Sequence, residues 1–175
     1  MKVALRGVVW CGVKVEISPD EAGIGDHPYT FATPSLSHFG LPSPDALVGI
    51  ALRFQIAQKF HACTDLHAPP HAVNDRPRDV VDLLRLRHLL ASDAATTDVD
   101  LRAACQAVFD IRAAEADELG LVPRHCPPVV QTHPLWLDDY ARAASDAGLT
   151  VTLDDAIAEL NDWIGKLDAA RSDGS

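Results

Sequence analysis

The apolar positions of this chain change their spacing part-way along it, from short valine-rich runs to a repeat of three to four residues. Residues 2 to 9 and 13 to 17 are rich in valine and flank Trp10-Cys11-Gly12, a pattern that predicts two short strands joined by a turn. Residues 18 to 44 are crowded with proline and glycine ("SPDEAGIGDHPYTF", "FGLPSP") and are expected to form a long connector with one short extended piece. Ser43-Pro44-Asp45 then offers an N-cap, a proline at the first helical position and a first-turn acid. Leu47, Ile50, Phe54, Ala57 and Phe60 follow at helical spacing, so a helix is expected from there to about Ala62.

Four more helices are expected. "DLHAPPHAVND" breaks the first, and Pro77 opens a second with Val80, Leu83, Leu84, Leu86 and Leu90 as its buried stripe. A third runs from about Asp98 to Leu119, turns Leu101, Ala104, Val108 and Ile111 inward, and stops at Gly120. After the proline-rich "VPRHCPPVVQTHP", a fourth from near Pro134 to Ala147 carries Trp136, Leu137, Tyr140 and Ala144. The fifth starts at Thr152, where Thr152 and Asp155 make a capping-box-like opening, and carries Ile157, Leu160, Ile164 and Leu167. Trp136, Tyr140 and Trp163 are read as core, not as a platform for stacking bases.

The predicted fold is α+β and mostly helical: a short antiparallel strand pair followed by a bundle of about five helices. Two strands alone are marginal in water, so they are expected to lie on the helices or to belong to a larger sheet. The expected division is a strand pair with its connector over 1–42, a helical domain over 43–170 and a frayed tail over 171–175. No repeat of 20 to 50 residues is visible, which removes solenoids.

Charge narrows the functions available. A formal net charge of −10 and a pI near 5.0 give a field that repels polyanions, so extended duplex DNA is not an expected partner. A local basic pocket holding the end of a nucleic acid is compatible with it, because remote acids are screened beyond roughly 8 Å at physiological salt. The cysteines at 11, 63, 105 and 126 are widely spaced and argue against a disulfide framework. The N-terminal apolar stretch is broken by Arg6, Gly7 and Lys14 and has no small-residue cleavage site, and no run of about 18 apolar residues follows, so a cytoplasmic protein without a membrane partner is expected.

The candidate chemistry gathers around Lys59. The chain has four lysines, and this one stands in an otherwise apolar helical run, one turn from Gln55 on the same face. Its stem is expected to be buried and its ammonium to seek an anion, since an unpaired buried ammonium loses its proton. Either Asp79 or Asp82, at i and i+3 on the second helix, is the expected partner, or else a bound phosphate. Arg76, Arg78, Arg85 and Arg87 crowd the same stretch, where Arg78 with Asp82 and Asp82 with Arg85 also have the spacing of ordinary intrahelical pairs.

"FQIAQKFHACT" followed by "NDRPRDVVDLLRL" resembles the paired C-terminal motifs of the AbiEii/AbiGii toxin family, nucleotidyltransferase-like proteins of toxin-antitoxin and abortive-infection systems. The likeness extends to Val15-Glu16-Ile17 before these motifs and to Phe109-x-x-Arg112 and Trp136-x-x-x-Tyr140 after them. The resemblance implies an NTP as substrate, Mg²⁺, an RNA acceptor such as a tRNA 3′ end, and a cognate antitoxin that blocks the activity. It implies catalytic roles for Lys59, Asp79 and Asp82, nucleotide or substrate binding by Gln55, Arg76 and Arg78, and a metal-ligand role for Glu16. The strand pair would be the remnant of a nucleotidyltransferase-like sheet. Two departures stand out: the family's Glu before the lysine is Gln58 here, and its Gly-Ser and Asp-x-Asp motifs would lie upstream of residue 1. The alternative reading is therefore a catalytically inactive helical module that docks a protein partner or RNA. His61, Cys63, His67 and His71 form H-x-C-x3-H-x3-H, the pattern of a zinc-stabilised regulator. No G-x-S-x-G turn and no glycine-rich phosphate loop is present.

Overall fold

The computed structural model describes residues 2–12, 14, 20, 21 and 23–170. The chain is α+β and mostly helical, as expected. Strands β1 (Lys2–Leu5) and β2 (Val8–Gly12) form one antiparallel pair, and β3 (Pro28–Phe31) and β4 (Leu47–Ile50) a second. Five helices follow: α1 (Leu52–Cys63), α2 (Pro77–Leu90), α3 (Asp98–Glu118), α4 (Leu137–Asp146) and α5 (Leu153–Ala169). The tail 171–175 lies outside the described residues. Among the described residues no helix is long and apolar enough to cross a membrane.

Two expected boundaries move. The first hairpin turns at Arg6-Gly7, not at Trp10-Cys11-Gly12. Both turn residues have positive φ, 52° and 81°, the backbone that a two-residue hairpin loop demands, whereas Gly12 closes β2 opposite Lys2. The expected second strand at 13–17 falls outside the described residues except for Lys14, which is not in a strand.

The first helix begins at Leu52, not near Ser43. Residues 47 to 50 pair instead with β3, Phe31 opposite Leu47 and Pro28 opposite Ile50. Ser43 does not cap a helix. Its hydroxyl accepts the Leu36 N–H at 2.8 Å inside the connecting loop. The Gln55 amide donates to the Ile50 carbonyl at 2.7 Å, tying the end of β4 to the first turn of α1.

The helical starts match their sequence signals. Pro77 sits at the first position of α2, the Thr97 and Asp100 side chains cap α3 reciprocally, and the Thr152 hydroxyl accepts the Asp155 N–H at 3.2 Å at the start of α5. The core is helical. α1 lies against α2 and α3, and α2 against α4 and α5. Phe54, Ile56, Ala57, Phe60 and Cys63 of α1 are buried, and the Phe60 ring meets Trp163 of α5 at 5.1 Å. Trp136, Tyr140 and Trp163 are core residues, as expected, whereas Leu137 of the same helix is exposed. Residues before the helices are held to them as well, because Ile24 is buried and His27 stacks on Phe54 at 6.0 Å.

Because Phe60 is fully buried at the centre and Val48 is 70 % exposed on β4, Phe60→Ala is expected to cost about 3–5 kcal/mol in urea unfolding and Val48→Thr less than about 0.5 kcal/mol. Comparable losses for the two would show that the core is not centred on α1.

Candidate functional site

The joint between α1 and α2 fixes the site. Helix α1 ends at Cys63 with unsatisfied carbonyls, and the chain returns fourteen residues later to start α2 at Pro77. Asn74, 2 % exposed, fills the gap. Its Nδ2 faces the carbonyls of Ala62 at 3.4 Å, Cys63 at 3.2 Å and Asp65 at 3.0 Å. Its Oδ1 accepts the Arg76 N–H at 3.0 Å, its own N–H donates to His67 Nδ1 at 3.2 Å, and its carbonyl accepts the Trp136 indole N–H at 2.7 Å. One residue thus bridges the end of α1 and the start of α2 through its side chain and is pinned through its backbone carbonyl by a buried tryptophan.

With the helices set in this way, Lys59 on α1 meets the first turns of α2. Its Nζ donates to Asp79 Oδ1 at 2.6 Å and to Asp82 Oδ2 at 2.7 Å. Burial pulls the Lys59 pKa down, the hydrogen bonds and charges of Asp79 and Asp82 push it up, and the net shift is upward from 10.5. The ammonium keeps its proton and stands as one cation against two carboxylate groups. Lys59 and Asp79 line an open hollow of about 490 Å³ together with Gln55 and Gln58.

The structure therefore brings Lys59, Asp79, Asp82 and Gln55 together and leaves the arginines apart. Arg78 is exposed and so is Arg76, whose ion pair is with its neighbour Asp75 at 3.7 Å. Asp82 turns to Lys59 instead of pairing along its own helix with Arg78 or Arg85. Glu16 lies outside the described residues.

Sequence reasoning missed Asn74 and Glu21. Glu21 accepts from Gln58 Nε2 at 3.0 Å and forms an ion pair with Arg112 of α3. The glutamine at position 58 thus faces a carboxylate that a glutamate there would repel. No local pattern marks Glu21, because its partners lie 37 and 91 residues away.

Magnesium, which the resemblance implies, does not fit the described donor set. Asp79 and Asp82 each spend an oxygen on an ammonium, and among the described residues no group of three or more His, Cys, Asp or Glu side chains is arranged to hold a metal ion. The same finding separates the His/Cys run. Cys63 is a buried thiol whose pKa burial pushes up, and the His61 ring meets Phe109 edge-on at 4.9 Å. His67 stacks on His133 with ring centres 4.3 Å apart.

No protein-family model matches the chain, and no curated protein matches it.

Removing the Asn74 side chain takes its donor from the Cys63 and Asp65 carbonyls and its acceptor from the Arg76 N–H, so Asn74→Ala is expected to cost about 2–4 kcal/mol in thermal or urea unfolding. A loss below about 1 kcal/mol would mean that the joint is held elsewhere. Burial, and then the charge of Arg124, lowers the His61 pKa from 6.5 to about 4. The unfolded chain therefore takes up this proton first as pH falls, and stability declines between about pH 6.5 and 4. In His61→Phe, which keeps a ring against Phe109, the decline in Tm from pH 7 to 4.5 is expected to be shallower. Equal slopes in the two proteins would refute this assignment.

Proposed function

We propose that the chain is the helical, phosphate-facing portion of a nucleotidyltransferase-like toxin of the AbiEii/AbiGii kind. It would move a nucleotide from an NTP to an RNA acceptor such as a tRNA 3′ end, and a cognate antitoxin would block it. The observation that supports this most is the Lys59 ammonium bridged by Asp79 and Asp82 on an open hollow, from the two motifs that carry the resemblance. A protonated lysine held by two carboxylates is oriented before any ligand arrives, so little reorganisation is needed when charge develops on a phosphoryl group. Asp79, in the first turn of α2, is the group placed to receive a proton from, or orient, an acceptor hydroxyl. Arg76 and Arg78, exposed and outside the triad, would meet the acceptor's backbone.

The same geometry sets a requirement. A site that is already net negative does not hold a triphosphate by itself, and the metal-holding carboxylates of this chemistry are not among the described residues. The chain's own share is the orientation of phosphate and acceptor. A second reading, a non-catalytic module that docks a partner or RNA, is favoured by that ammonium already paired with two carboxylates.

Incubation with labelled NTPs, Mg²⁺ and total tRNA separates the two. Label transfer that falls at least about 100-fold in Lys59→Ala and in Asp79→Ala is the expected result. A folded wild-type chain that transfers no label, or variants that transfer as well as wild type, would shift the assignment to docking.

A further inference from the structure

The node at Asn74 carries two imidazoles. The Asn74 backbone N–H donates to His67 Nδ1 at 3.2 Å, and the Asn74 carbonyl accepts the indole N–H of Trp136, whose ring His133 meets edge-on at 4.7 Å. The two histidines lie face to face, with ring centres 4.3 Å apart and 23° between their planes. His67 comes from the loop after α1 and His133 from the stretch that leads towards α4, so the stack fastens one segment to the other.

This arrangement requires neutral rings. A nitrogen that accepts a hydrogen bond carries no proton. Once His67 Nδ1 is protonated, both of its ring nitrogens are donors and the Asn74 N–H faces another N–H. A second proton, on His133, sets two positive charges face to face. Burial, and then the charge of His67, holds the His133 pKa below 6.5, so the folded chain favours its neutral form and protons taken up as pH falls work against the stack. The carboxylates nearby are spent. Besides the stack, the titratable or charged side chains lining the adjoining hollow of about 350 Å³ are Cys63, Asp65, Arg124 and His125, and Asp65 is paired with Arg124. Asp75, next to Asn74 in the chain, pairs with Arg76 at 3.7 Å. We infer that the His67–His133 stack is a proton-operated latch on the α1–α2 joint, closed while both rings are neutral and released, together with the Asn74 N–H, when they take up protons. That joint brings Lys59 to Asp79 and Asp82, but the inference does not rest on nucleotide transfer.

NMR of the isotope-labelled full chain between about pH 7.5 and 5 follows both imidazoles, the Asn74 amide and the Trp136 indole N–H together. The Asn74 and Trp136 signals are expected to move with those of the His67 ring, at one midpoint, while amides in the middle of α5 stay in place. His67→Gln offers the Asn74 N–H an acceptor that takes up no proton, and the pH-dependent shift at Asn74 is expected to fall at least about 3-fold. His133→Phe keeps a ring against Trp136 and removes the second charge, so the midpoint is expected to rise by about 0.5 pH unit. Circular dichroism checks that both variants fold. A His67 ring that titrates without moving Asn74, one that stays neutral until the whole chain unfolds, or an Asn74 shift undiminished in His67→Gln would overturn the latch.

Discussion

A single buried amide holds together the parts on which everything else depends. Asn74 takes the Cys63 and Asp65 carbonyls at the end of α1, the Arg76 N–H just before α2 and the indole of Trp136 into one hydrogen-bonded node. A buried polar group is costly unless satisfied, and this one is satisfied on every atom that can bond. The node works in both directions. It relieves a helix end that would otherwise leave bare carbonyls in the interior, and it restricts the angle at which α1 and α2 meet. Only within that restriction does the Lys59 side chain reach both aspartates one helix away.

The triad itself contributes modestly to stability and strongly to orientation. Lys59 is partly buried and its partners are partly open to solvent, with Asp82 at 37 % side-chain exposure. Hydrogen bonds of this charged kind are worth about 1–3 kcal/mol at most, and solvent screening trims that. Its consequence is electrical: a fixed cation flanked by two fixed anions on the rim of a hollow. Such a site disfavours a bare anion.

Much of this was legible in the residues, and the failures share one cause. The helices α2, α3 and α5 announce themselves locally, through Pro77, the apolar spacing that ends at Gly120, and the Thr152 cap, while the Thr97–Asp100 box of α3 was not read in advance. The meeting of Lys59 with Asp79 and Asp82 was legible for the same reason, since helical spacing puts both acids on one face and burial demands a partner for the ammonium. Residues 47 to 50 were misread because their strand state depends on β3, which lies on the far side of a fifteen-residue loop, while their spacing matches a helix equally well. Asn74 reads locally as an ordinary loop asparagine, and its role appears only when two helix ends and Trp136 are brought to it. Glu21, set in a proline- and glycine-rich stretch, is likewise defined by Gln58 and Arg112, far away in sequence.

The long loop between β3 and β4 is closed at both ends. The ladder fixes Phe31 beside Leu47, and Thr33 and Leu36 bond across the stem to Pro44 and Ser43. With its ends clamped, the loop's thermodynamic cost depends only weakly on how many residues it contains, rising by about 0.6 kcal/mol for each doubling. Extra chain can be accommodated between Ser37 and Leu41 without moving α1 or the node at its far end. The tip is therefore the part of this molecule freest to drift in length and composition, and a natural place to splice in foreign sequence.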